Sequence, residues 1–108
     1  MKSDTVRLKH MLDAARKAVA VTEGKDRSAL EDDEILALAV VRLLEIVGEA
    51  AKHLSEEFRE AHPETPWRLM AGTRDRLIHG YFDVDLDVVW AIVTKDLPPL
   101  IEKLERSL

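Results

Sequence analysis

At 108 residues, 46% hydrophobic and 34% charged, the chain is sized for one domain around one core, spanning residues 1–108. The absence of cysteine excludes a disulfide framework and thiolate metal sites, and suits a reducing cytoplasm. A net charge of −5 argues against broad adhesion to nucleic acid but leaves room for a local basic pocket, and no apolar run approaches the ~20 residues of a membrane span.

The N-terminal stretch MKSDTVRLKHMLD has helical periodicity in place of the apolar core of a signal peptide. Leu8, Leu12, Ala15 and Val19 predict a first helix from about Asp4 to Glu23, with Gly24 as its stop. After the polar turn GKDRS, Ser28 and Glu31 fit a capping box that opens a second helix near Ala29. This helix is expected to run to about Leu54, and its apolar residues, from Ile35 through Val47, cover more than one face. Such a helix is buried on several sides, centrally in a bundle or against another subunit. One polar stripe crosses it: Arg42, Glu45, Glu49 and Lys52 or His53. The stripe reads either as ion pairs on a solvated strip or as a lining that faces a site or a twofold axis.

Ser55 is placed to cap a short turn, SEEFREAH, ended by Pro63. Pro66 suits the first position of a third helix, expected to stop near Gly80. Asp85 can cap a fourth helix, whose apolar face is Leu86, Val89, Val93, Leu97, Leu100, Ile101 and Leu104. Pro98 and Pro99 fall inside that pattern and predict a kink or break. The expected fold is all-α: an antiparallel four- to five-helix bundle, homodimeric through the apolar second helix and the end of the third.

The chemistry concentrates in RDRLIHGYF, Arg74 to Phe82, where Arg74, His79 and Tyr81 form an R-x4-H-x-Y pattern. Tyr81 is the only tyrosine. Each residue has an ordinary reading: a surface ion pair for Arg74, a helix-end histidine for His79, a half-buried aromatic for Tyr81. Together they assemble a phosphate-binding guanidinium, a proton-transfer group and a phenol around a helix end. On an ideal helix residues five apart diverge by about 140°, so Arg74 and His79 converge only through the arginine's length, the helix end or a second subunit. Asp75 and His79 are i,i+4 neighbours on that helix, so Asp75 is expected to orient the imidazole, while Arg76 lies at i−3. The reaction this set serves best is RNA cleavage by the substrate's own 2′-hydroxyl, with no metal and no cofactor. Two histidines from two subunits supply both proton transfers.

The segment PWRLMAGTRDRLIHGYFDVDLDVVWAIVTKDLPPLI closely resembles the C-terminal half of HepT-like toxins of the HEPN superfamily, and LLEIVGEAAKHLSEEFREAHPETPW resembles the family's central segment. The resemblance implies a homodimeric endoribonuclease toxin of a type VII toxin–antitoxin system. Its implied partner is an MntA-like nucleotidyltransferase antitoxin, which transfers AMP from ATP onto the motif tyrosine. Carried over by residue, Arg74 and His79 are the catalytic pair, Asp75 and Arg76 support them, and Tyr81 accepts AMP. The acidic net charge favours a small basic cleft built from Arg68, Arg74 and Arg76, with Arg68 contacting RNA. From a different class, the same residues suit a module that holds a phosphate or a partner without cleaving anything.

Overall fold

The computed structural model describes residues 2–79 and 83–108, and for Lys2, Ile78 and His79 the backbone alone. Helix α1 spans Lys2–Thr22. Thr22 turns its hydroxyl back onto the Ala18 carbonyl (2.9 Å), and Gly24, at φ +75°, takes the left-handed conformation that ends the helix. Helices α2 (Ser28–Asp32) and α3 (Glu34–Lys52) follow. The continuous second helix expected from periodicity is therefore interrupted at Asp33, which is extended and caps α3 by accepting from the Leu36 N–H at 3.1 Å. Ser28 is not the predicted cap. Its hydroxyl and backbone N–H both donate to Asp26.

Ser55 caps α4 (Glu56–Ala61) as expected, accepting from the Phe58 N–H at 3.1 Å. The serine is itself anchored: its backbone N–H and its hydroxyl donate to the buried Asp4 carboxylate at 2.8 and 2.6 Å. One buried carboxylate thus ties the start of α1 to the start of α4.

The expected third helix is two short ones, α5 (Trp67–Ala71) and α6 (Thr73–Leu77), separated at Gly72. It also ends earlier than Gly80. Ile78–His79 (β1) are extended and pair antiparallel with Asp83–Val84 (β2), in the register Ile78↔Val84 and His79↔Asp83. The β-branched Ile78 favours this extended path over another helical turn. Asp85 then caps α7 (Leu86–Ala91), accepting from the Asp87 and Val88 N–H groups. A π-helical turn, Ile92–Asp96, leads into α8 (Leu97–Ser107). The break predicted at Pro98 and Pro99 takes this form. Proline rings clash with the carbonyls four residues back, here Thr94 and Lys95, and the widened turn falls on those residues.

The core confirms an all-α bundle. Leu8, Met11, Ala15 and Ala18 of α1 are buried together with Val40, Leu44, Val47 and Ala51 of α3, and α1 packs along α3 more extensively than any other pair of elements. Leu97, Leu100 and Leu104 of α8 and Val89 of α7 complete the core. Each fully buried leucine contributes about 1.5–3 kcal/mol of transfer free energy. The N-terminal half of α3 behaves differently, with Ile35 75% and Leu38 59% exposed. None of the helices described is long and apolar enough to cross a membrane.

Candidate active site

The site is assembled where α3 meets α5 and α6, and a glycine sets the separation. A Cβ on Gly48 of α3 would lie 3.0 Å from the Met70 carbonyl oxygen and 3.4 Å from Thr73 Cβ. A methyl group there would force the neighbouring backbone to give by a few tenths of an ångström. The close approach brings the polar stripe of α3 beside α6, where Arg74 Nε lies 3.5 Å from Glu45 Oε2. The arginine remains 67% exposed while the glutamate is 26% exposed, so Glu45 acts as a shelf for a guanidinium that still faces solvent.

Around this pair is a groove of about 350 Å³ lined by Arg42, Glu45, Glu49, Ala71 and Arg74. The stripe on the second predicted helix is therefore divided in use. Glu49 pairs along α3 with His53 at 3.0 Å, as on a solvated strip, whereas Glu45 pairs across to α6. Arg42 has no ion pair among the described residues, so it adds a second guanidinium to the groove. The sequence offers Arg42 and Glu45 as part of a stripe that faces either solvent or a site, without singling them out as site residues. Their signal was a charged line across an otherwise apolar helix.

Of the nominated residues, Arg74 lines this groove and Asp75 is exposed on α6. The helical i,i+4 spacing expected between Asp75 and His79 is interrupted in the backbone, because α6 ends at Leu77 and His79 lies on β1. Tyr81 falls outside the described residues. Arg76 reaches the other way, with Nη2 3.5 Å from Asp96 Oδ2 at the end of the π turn. Arg68 and Arg76 line a separate groove with Arg59. The single cleft expected from Arg68, Arg74 and Arg76 is thus two grooves on different sides of α6, because residues two apart on a helix point about 200° apart.

The family model described as HepT-like (Ribonuclease HepT-like) matches residues 11–107, which include the whole RDRLIHGYF stretch and both grooves. The chain belongs to the HepT-like ribonuclease family. "Putative RNase TTE0752" of Caldanaerobacter subterraneus subsp. tengcongensis is 38% identical to it over 108 residues, covering 100% of this chain and 96% of that one. "Probable ribonuclease HepT" of Thermococcus cleftensis is 50% identical over 74 residues, 68% of this chain and 67% of that one. "Putative RNase MJ1380" of Methanocaldococcus jannaschii is 36% identical over 95 residues, 88% and 87% of the two chains. No solved structure matches the chain. The α3–α6 groove presents exposed guanidinium groups at the start of the motif, carried on helices packed against the core.

Proposed function

We propose that this chain is an endoribonuclease toxin that cleaves RNA without a metal, at a site shared by two copies. The observation that carries the reading is the exposed Arg74, held by Glu45 at the start of the R-x4-H-x-Y motif of a chain in a ribonuclease family. Arg74 binds the scissile phosphate and stabilises charge on its non-bridging oxygens. One His79 takes the 2′-hydroxyl proton as the O2′–P bond forms. The other donates a proton to the 5′-oxygen as the P–O5′ bond breaks, leaving a 2′,3′-cyclic phosphate and a free 5′-hydroxyl. The two proton transfers need two groups in opposite protonation states, and each copy carries one motif histidine.

The exposed face of α3 supports the pairing. Ile35 and Leu38 lie on the same helical face as Arg42 and Glu45, so a second copy seated on the apolar end brings two α3–α6 grooves toward one another. Tyr81 is the acceptor of AMP from an MntA-like nucleotidyltransferase partner. The added phosphate then neutralises Arg74 and the nucleoside obstructs the groove.

The test is cleavage of a single-stranded RNA in excess EDTA, followed by end-group analysis. Undiminished cleavage with 2′,3′-cyclic phosphate ends is expected. Loss of activity on chelation, or 3′-hydroxyl products, contradicts the mechanism.

A further inference from the structure

The larger groove lies away from Arg74, between α4, the loop before Trp67, and the outer sides of α5 and α6. It is an open groove of about 860 Å³, in the ~300–1,000 Å³ size range of ligand pockets. Three of its lining residues each carry a polar side-chain atom that is buried without a hydrogen-bond partner: Arg59 Nε, Thr65 Oγ1 and Arg76 Nη1. They come from α4, the loop and α6, so no single local distortion accounts for all three. Buried N–H and O–H groups are nearly always paired, because each unpaired one forfeits the hydrogen bonds it made in water.

The setting is rigid and positively biased. Trp67 is 5% exposed and donates its indole N–H to the His62 carbonyl at 2.8 Å, while Phe58 stacks on His62 and meets Trp67 edge-on. Lys103 Nζ fixes the loop from behind through the Glu64 carbonyl at 2.8 Å. Asp96 holds one amino group of Arg76, which leaves the other fixed in place with no acceptor. Arg59 and Arg68 have no carboxylate partner among the described residues, although Glu56 and Glu60 stand on the groove's exposed α4 side. The lining arginines Arg59, Arg68 and Arg76, two of them with an unpaired buried N–H, suit an acceptor with several oxygens and negative charge. A phosphate has both.

We propose that this groove is a second phosphate site, which takes a backbone phosphodiester of the RNA strand away from the scissile bond. The proposal rests on the ribonuclease reading for the identity of the strand. Arg74 and Arg76 point to opposite sides of α6, so one phosphate cannot satisfy both, whereas a continuing strand presents a phosphate to each. The groove therefore selects for length of single-stranded RNA and gives an acidic protein a grip on a polyanion.

The test uses the full chain and a 2′-O-methyl oligoribonucleotide, which lacks the attacking hydroxyl, so binding is measured whether or not the chain cleaves RNA. Arg59→Gln and Thr65→Val are each expected to weaken binding by ~10-fold. Arg59→Gln should also flatten the dependence of log affinity on log salt by ~0.7, the value for one lost phosphate contact to a single strand. Thr65→Val should melt no lower than the parent, since it removes an unpaired buried hydroxyl at nearly constant shape. Unchanged oligonucleotide affinity in both variants overturns the proposal. So does an unchanged affinity for the strand accompanied by lost binding of AMP, inorganic phosphate or a protein partner, which would make the groove a free-nucleotide or docking site.

Discussion

Glu45 Oε2 and Arg74 Nε face each other at 3.5 Å across the seam between α3 and α6, and Gly48, one turn along α3, is what lets the seam close. The ion pair is too exposed to matter much for stability; such pairs are worth ~0–1 kcal/mol. Its consequence is placement. Gly48→Ala puts a methyl group against the Met70 carbonyl, a backbone atom that can yield only by moving α5 and α6. Overpacking of this kind costs ~1–3 kcal/mol, partly offset by the ~1 kcal/mol helix preference of alanine over glycine. We expect a melting temperature a few degrees lower. Cleavage should fall by less than the ~100-fold that an ångström of misplacement costs, since the neighbours need give by only a few tenths of an ångström. A Gly48→Ala protein with full activity would separate the seam from the chemistry.

Association is expected to run through the apolar end of α3. Leu38→Glu, alone or with Ile35→Glu, should convert a dimer to a monomer in sedimentation at micromolar concentration. Monomer helicity should be preserved, because both side chains are more than half exposed. Cleavage should be lost with the dimer. A wild-type chain that sediments as a monomer while cleaving RNA contradicts the shared site.

How much of this was legible in the sequence depends on how local each cause is. Gly24, Ser55 and Asp85 act within a few residues, and their helix stop and caps stand where the sequence puts them. The break at Asp33 is hidden because the acidic run Glu31 to Glu34 contains no Gly or Pro, and an aspartate is compatible with either a helix interior or a cap. The early end of α6 was missed because Gly80 is the louder signal, yet pairing of Ile78 with Val84 takes over two residues sooner. For the site, Arg74 was readable from its motif, but Glu45 becomes its partner only through the helix contact at Gly48. The division of the arginines between two grooves follows from α6 being a separate short helix packed on both sides.

Asp4 predicts an acid sensitivity. Its carboxyl lies below the ordinary aspartate value, chiefly because the Ser55 hydroxyl donates to it and then because the Ser55 backbone N–H does. A depressed folded-state pKa means that the stabilisation is fully present above the unfolded value of about 3.9 and is lost as pH falls through the folded one. Asp4→Asn should therefore lower stability by ~1–3 kcal/mol at neutral pH, and the gap to the parent should narrow below about pH 4. Denaturant titrations at several pH values check this; a pH-independent gap contradicts it.

Tyr81 makes the modification test clean, being the only tyrosine in the chain. On the proposed acceptor role, incubation with ATP and an MntA-like nucleotidyltransferase should add AMP-sized increments to the intact mass and silence cleavage. Tyr81→Phe should gain no mass and escape inhibition. AMP on serine or threonine, or inhibition without any mass change, contradicts the acceptor role.

The central claim is that Arg74 and His79 perform RNA cleavage, and complementation between subunits tests it most directly. Arg74→Ala and His79→Ala proteins should each be nearly inactive, with losses of ~10²–10⁴-fold, at melting temperatures close to the parent's. The decisive measurement is the cleavage rate of a stoichiometric mixture of the two after subunit exchange. A site that needs both histidines predicts that the mixed dimer, left with one arginine and one histidine, stays far below the parent, whereas a mixture that regains a large share of the parental rate would contradict the two-histidine mechanism. Full activity in either single variant would contradict the account outright.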